Sequence, residues 1–387
     1  MVRKRVAIVG VGQSPFYRKC GMTIRELCFM GFREAMEGTN LKPEEIDASI
    51  VCSAPEYDRQ RSPASVIADY LSLSPAPSFN VETLCSSSSL GVRVAYALIE
   101  SGLHEVVAVI GFQKMSELTS REAAERMVRG LDVQWESPFG VTMPSFFGMV
   151  SGAHMAKYGT TVEHLGKVRV KSAIYGELNE KAIYRERISL EDVLNSEMVS
   201  SPLRKLDCCA NADGAAIVIL ASSEVAKKIT DKPVWILGLG GSTRSNALAV
   251  QLSFTSITVS REAAKAAYEM AGLGPEDIDV AEIHDCFTVA EIVAYEDCGF
   301  AKPGEGSKLI DEKQTYLGGR IPVNLDGGLL SKGHPIGATG ASQIRTIVKQ
   351  LRGEAGKTQV EGARIGLVHN LGGPGVYGFI TILGRDW

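Results

Sequence analysis

The sequence predicts an α/β protein made of two related halves, and three observations carry that reading. A twelve-residue stretch returns later in the chain in the same register. Each copy sits in the same succession of glycine-ended apolar strands and amphipathic helices, the order that builds a parallel or mixed sheet covered by helices. The composition, with 45% hydrophobic residues, 22% charged residues and 40 glycines, suits many tight strand-to-helix turns. At 387 residues the chain exceeds one core of ~150 residues, so two units are expected.

The repeated stretch, LKPEEIDASIVC from Leu41 to Cys52, returns as LGPEDIDVAEIH from Leu273 to His284, a shift of 232 positions that duplication explains most simply. A strand from Arg5 to Gly10 opens the first half, and Val234 to Gly238 opens the second. The next element is a helix from Thr23 to Gly38, started by a Thr23/Glu26 capping box and carrying Ile24, Leu27, Cys28, Gly31 and Ala35 on one face; its counterpart runs from Ser260 to Gly272. After the repeated stretch, a helix from Cys85 to Ser101 matches one from His334 to Arg352, and a strand from Glu105 to Gly111 matches Arg364 to His369. A pseudo-two-fold axis would place Cys85 and His334 at equivalent helix N-termini and His284 where Cys52 stands. Residues 1–230 are read as the first half and 231–387 as the second. Residues 113–205 interrupt the pattern with Arg/Glu-rich helix and the segment PFGVTMPSFFGM, read as an insertion that is either a substrate lid or a dimer-packing layer.

Composition excludes several functions. With 41 basic and 45 acidic residues the net charge is −4, so no global field recruits nucleic acid or an anionic membrane. No apolar run reaches the ~18 residues of a membrane span. The eight cysteines lack paired or metal-ligand spacing, which points to a reducing, cytoplasmic setting with no metal site; vicinal Cys208 and Cys209 read as small core residues. Gly10-Val11-Gly12 begins like a dinucleotide loop, but Pro15 stands in the third glycine's place, and no phosphate-binding GxxxxGK[ST] exists.

The chemistry lies in four separated motifs. Cys85, in VETLCSSSSLG, precedes a predicted helix whose dipole and free N–H groups favour a thiolate. His334, in SKGHPIGATG, is a candidate base for that thiol. His284, in HDCF, is a candidate donor to an enolate oxygen, and Cys286 beside it a candidate acid and base at the α-carbon. HNLGGPG, from His369 to Gly375, ends a strand in a glycine turn whose N–H groups, near Gly372, suit an oxyanion. Together they form a kit for making or breaking a carbon–carbon bond beside a thioester.

These ordered motifs resemble the thiolase superfamily over essentially the whole chain, in particular the sterol-carrier-protein type thiolases and their archaeal and bacterial acetyl-CoA acetyltransferase-like relatives. The resemblance implies two βαβαβαββ halves in a layered αβαβα core with an inserted loop domain. It implies Cys85 as the acyl carrier, His334 as the GHP histidine, and His284-Asp285-Cys286-Phe287 as the variant in which Cys286 replaces the second cysteine of common thiolases, leaving the role of His369 open. The Ala212-Asp213-Gly214-Ala215-Ala216 run matches a structural strand start. Met143, Phe146 and Phe147 fall in the segment expected to line the pantetheine and acyl tunnel. Leu84 departs from the usual small residue. The activity implied is reversible Claisen condensation or thiolysis of a β-ketoacyl-CoA, with coenzyme A as co-substrate and no resident cofactor. A homodimer or higher oligomer is implied, and a small OB-fold, zinc-ribbon partner is a possible companion. A thiolase subunit for bulky or aromatic β-ketoacyl-CoAs, a ketoacyl or hydroxymethylglutaryl-CoA synthase, and a non-catalytic acyl-CoA-binding subunit are the alternatives.

Overall fold

The computed structural model describes residues 5–386. The chain begins β1 (Val6–Gln13), α1 (Ile24–Met36), β2 (Ala48–Cys52), α2 (Pro63–Tyr70), β3 (Ser78–Val81), α3 (Ser87–Glu100) and β4 (Val106–Lys114). There follow α4 (Ser120–Met127), α5 (Met143–Tyr158), α6 (Val162–Leu178), α7 (Leu190–Leu194) and a small hairpin of β5 (Met198–Ser200) and β6 (Leu203–Arg204). The path resumes with β7 (Asp213–Ser222), α8 (Ser223–Ile229), β8 (Val234–Thr243), α9 (Thr258–Ala271) and β9 (Val280–Glu282). It closes with α10 (Thr288–Asp297), α11 (Gly306–Asp311), α12 (Gly328–Lys332), α13 (Thr339–Arg352), β10 (Ile365–Gly372) and β11 (Tyr377–Gly384).

Nine strands form a sheet in the order β3-β2-β4-β7-β1-β8-β11-β10-β9. Its middle is a short antiparallel seam in which Ala7 faces Trp235 and Ile8 faces Val234. Outward from that seam both directions repeat the same order, β1-β7-β4-β2 and β8-β11-β10-β9, as a two-fold relation requires. Register repeats as well: Ser49 of β2 pairs in parallel with Ser78 of β3, and its counterpart Ala281 bridges Val323 in parallel.

Alternation along the strands sends residues to two different cores. Ala7, Val9, Ile217 and Ile219 pack with Leu27 and Ala35 of α1, in a core that extends to Ala263 and Ala267 of α9. Val6, Ile8, Val218 and Leu220 join Val92 and Ala95 of α3 and Ile344 and Ile347 of α13. Because α3 and α13 touch each other and strands of both halves, they form a shared middle layer, with α1 and α9 outside. The layered αβαβα arrangement is therefore the one observed. Each fully buried Leu or Ile contributes roughly 1.5–3 kcal/mol to holding it.

The glycines expected to end the first strands lie inside them. A Cβ on Gly10 would stand 2.2 Å from the Ala35 carbonyl oxygen, one on Gly12 2.0 Å from that of Gly31, and one on Gly238 2.3 Å from that of Ala267. These glycines let α1 and α9 lie against their strands, so the Gly10-x-Gly12 pattern is packing. Helix α1 starts as its sequence predicts: Thr23 Oγ1 accepts from the Glu26 N–H at 3.3 Å, and the Glu26 carboxylate accepts from the Thr23 N–H at 2.7 Å.

Two other helix starts differ from expectation. Helix α3 begins at Ser87 and α13 at Thr339, so Cys85 and His334 both precede their helices. Pro335 favours extended backbone at His334, and a 3-10 turn over Ile336–Ala338 intervenes before α13. Counted back from the first helical residues, the counterpart of Cys85 is Gly337, and the supposed equivalence of Cys85 with His334 does not hold. In the insertion, α6 packs on α10, α11 and α12. Fully buried Lys171 of α6 pairs with Glu291, and its Nζ lies 3.1 Å from both the Tyr295 hydroxyl and the Val323 carbonyl. Among the described residues no helix is long and apolar enough to cross a membrane.

Candidate active site

The ends of β9 and β10 and the approaches to α3 and α13 meet at a mostly apolar cavity of about 250 Å³ lined by Cys85, His284, Cys286, His334 and Gly373. Cys85 Sγ and one ring nitrogen each of His284 and His334 all lie within 4.8 Å of one another. The two imidazoles meet edge to face, with centroids 5.1 Å apart and planes at 84°. Residues separated by about half the sequence thus converge because the two halves share their middle layer.

His284 is held at three points. The preceding Ile283 N–H donates to Asn324 Oδ1 at 2.7 Å, and the His284 N–H donates to His369 Nδ1 at 3.4 Å. Asn370 Nδ2 lies 2.9 Å from His284 Nδ1. The Ser89 hydroxyl donates to Asn370 Oδ1 at 2.8 Å, which fixes the amide with its NH₂ toward the ring. His284 Nδ1 therefore accepts, and its hydrogen sits on Nε2, at the cavity. Burial holds the ring well below the usual imidazole range, reinforced by neighbouring His334 and His369.

His334 has the opposite tautomer. Its Nδ1 lies 2.7 Å from Thr339 Oγ1, and the Thr339 hydroxyl donates to the Pro335 carbonyl at 3.1 Å. With that hydrogen spent, Thr339 accepts from Nδ1–H, so His334 Nε2 carries a free lone pair. That nitrogen is buried and has no hydrogen-bond partner among the described residues. Burial lowers His334 to about 3. One imidazole thus offers a donor to the cavity and the other an acceptor.

Cys85 follows Leu84, whose φ of +55° is in the left-handed region that a branched side chain seldom adopts. Burial pushes the Cys85 thiol up to about 12, opposed by a hydrogen bond from the Gly373 N–H. This corrects the expected thiolate: desolvation outweighs the dipole of a helix that begins two residues later. At rest the pair is a neutral thiol beside a neutral imidazole. Burial also raises the Cys286 thiol well above its ordinary range.

Other predicted residues are placed differently. Met143 and Phe147 line the cavity. Phe146 does not; it packs behind, its ring centroid 5.0 Å from that of Phe147 and 6.2 Å from that of Phe254. The His369 side chain faces away from the cavity, its Nε2 bound to Ser260 Oγ at 2.8 Å, so it braces the His284 backbone and offers nothing to an oxyanion. The N–H that reaches Cys85 belongs to Gly373, one residue beyond Gly372. Gly372 is needed for packing, since a Cβ there would lie 2.4 Å from the Thr83 carbonyl oxygen. Cys208 and Cys209 pack against a hydrophobic core, as expected, and also line the cavity, tied to the HDCF segment by the Cys209 N–H donating to the Cys286 carbonyl at 2.9 Å. Sequence reasoning missed Thr339 and Asn370, although each lies inside a motif it singled out.

Known proteins support the same picture. The family profile described as "Thiolase, N-terminal domain" matches residues 6–224, and that described as "Thiolase C-terminal domain-like" matches residues 240–385. An acetyl-CoA acetyltransferase of Methanothermobacter thermautotrophicus is 39% identical over 382 residues, covering 98% of this chain and 99% of its own. Sterol carrier protein 2 of Bos taurus is 35% identical over 390 residues, covering 96% of this chain and 70% of its own. The solved structure titled "Ltp2-ChsH2(DUF35) aldolase" superposes with a TM-score of 0.86 at 25% identity, covering 100% of this chain and 99% of that one.

Proposed function

The chain belongs to the thiolase family and is an acyltransferase, and from that premise we propose that it exchanges acyl groups between coenzyme A and a carbon nucleophile through an acyl group carried on Cys85. The observation that carries this reading is the meeting of Cys85 Sγ with a donor imidazole and an acceptor imidazole, all within 4.8 Å.

In the cleavage direction His334 Nε2 takes the proton of Cys85 as the sulfur attacks the β-carbonyl carbon. The Cys85 and Gly373 N–H groups receive the oxyanion, a donor of this kind supplying roughly 3 kcal/mol. Its collapse breaks the Cα–Cβ bond, leaving the acyl group on sulfur and releasing an acyl-CoA enolate. The enolate oxygen accepts from His284 Nε2–H and from the newly protonated His334 Nε2, while the Cys286 thiol protonates the α-carbon. Incoming coenzyme A gives its thiol proton to the Cys286 thiolate and attacks the acyl carbon. The departing Cys85 sulfur regains its proton from His334. Neutral resting groups suit this scheme, since charge appears only as the reaction proceeds.

The 39% identity to an acetyl-CoA acetyltransferase supports acetyl transfer, with coenzyme A as substrate and not as a resident cofactor. The sheet ends at β3, where Phe79 is 38% exposed, and that free edge supports self-association into a dimer. A DUF35 component in the name of a structural neighbour supports assays with a co-expressed small partner. The test is incubation with labelled acetyl-CoA followed by peptide mass analysis, alongside thiolysis of a panel from acetoacetyl-CoA to aromatic β-ketoacyl-CoAs. One acetyl group on the Cys85 peptide, lost in Cys85→Ala together with thiolysis, is expected. Thiolysis that persists in Cys85→Ala overturns the mechanism.

A further inference from the structure

We propose that Cys85, His284 and His334 form a reversible, inhibitory binding site for a soft divalent cation of the zinc and cadmium class, occupied in competition with the acyl group. One thiol sulfur and two imidazole nitrogens are the donors such ions select. The three atoms already lie within 4.8 Å of one another. A tetrahedral zinc ion, with Zn–S of about 2.3 Å and Zn–N of about 2.0 Å, brings its ligand atoms to roughly 3.5 Å, so side-chain rotations on the order of 1 Å complete the set.

An independent observation points to a ligand. His334 is 4% exposed and lines the cavity, and its buried Nε2 has no partner among the described residues. Its other nitrogen already donates to Thr339, the outer hydrogen bond that orients a metal-bound imidazole. Cys209 and Cys286 line the same cavity and add further sulfur around the ion, while the cavity leaves the fourth position open.

His284 makes the site reversible. Its Nε2 carries the hydrogen, so ligation requires that hydrogen to move to Nδ1 through solvent. Asn370 must then turn its amide over, so that Oδ1 accepts from Nδ1–H and the NH₂ faces the Ser89 oxygen. One zinc ion entering displaces one proton, that of the Cys85 thiol, which passes to solvent. The cost of turning the amide keeps affinity below that of a preformed structural site.

The inference rests on donor geometry and stands apart from any particular reaction, so binding is measured without substrate. Chelator-stripped full-length protein is titrated with zinc against a chromophoric chelator and with cobalt by near-ultraviolet absorption. The expected result is one equivalent per chain with a thiolate-to-cobalt band, weakened by more than about tenfold in both Cys85→Ser and His334→Gln. In the wild-type protein, saturating zinc is expected to slow iodoacetamide labelling of the Cys85 peptide, a readout that needs no variant to fold. Zinc bound equally well by both variants, an unprotected Cys85 at saturating zinc, or no binding at micromolar concentration each overturns the proposal.

Discussion

Replacing Thr339 with valine keeps the side chain's shape and removes the acceptor of His334 Nδ1–H. Thr339 touches neither substrate nor Cys85 in the mechanism; it positions the base by dictating which nitrogen holds the hydrogen. An unmet buried donor costs about 1–3 kcal/mol, and the ring escapes that cost by moving its hydrogen to Nε2, where it can no longer accept a proton. At about 1.4 kcal/mol per factor of ten, the working tautomer becomes roughly 5- to 150-fold rarer. Acetylation of Cys85 from acetyl-CoA, followed by rapid quench and mass analysis, is expected to slow by that factor. Thr339→Ser, which keeps the oxygen, is expected to restore most of the rate. Acetylation of folded Thr339→Val at the wild-type rate would refute the assignment of tautomers.

Cys286→Ala is expected to leave Cys85 acetylation intact while solvent deuterium exchange into acetyl-CoA falls by about 10²–10⁴; undiminished exchange removes Cys286 from the mechanism. With the Cys85 thiol pushed up to about 12, its thiolate share grows about tenfold per pH unit across the range from ~7 to ~10, and iodoacetamide labelling of free enzyme should climb without levelling. A plateau near neutrality would instead reveal a resting thiolate–imidazolium pair. Lys171→Met leaves the fully buried Glu291 carboxylate with only the neutral Tyr295 and Asn324 donors and should cost about 3–5 kcal/mol in urea unfolding, much of it recovered when Glu291→Gln, which is uncharged and still hydrogen-bonds both, is added. A cost below about 1 kcal/mol in the single variant would show that the pair does not carry this part of the fold.

Much of the architecture was legible because duplication writes itself into sequence: the Leu41 and Leu273 stretches share a register, and their pairing partners Ser78 and Val323 repeat it in space. Strand lengths were misread because Gly10 and Gly238 look like terminators in one dimension and become contacts only when a helix lies against them. The convergence of Cys85, His284 and His334 was legible from residue types, since each stands in a glycine-rich or strand-end motif. Their protonation was not. It depends on Ser89 orienting Asn370 across 281 positions and on burial, neither of which a motif records. The same limit explains the shift from Gly372 to Gly373: a one-residue change in a turn decides which N–H reaches the sulfur, and only backbone torsions reveal it.

Duplication invites the expectation of two reaction centres, and Gly337 explains why the second half carries no sulfur at the matching place. At this mirror image of Cys85, a single added carbon would sit 2.3 Å from the Phe112 carbonyl oxygen and 2.5 Å from that of Cys52. No side chain enters without prising β2 and β4 from the loop that crosses their ends. Sterics close the mate position, leaving the second half to contribute imidazoles while the first keeps the sulfur. Severed from each other, one fragment would own the acyl carrier and the other the proton handlers, and neither would own a complete centre.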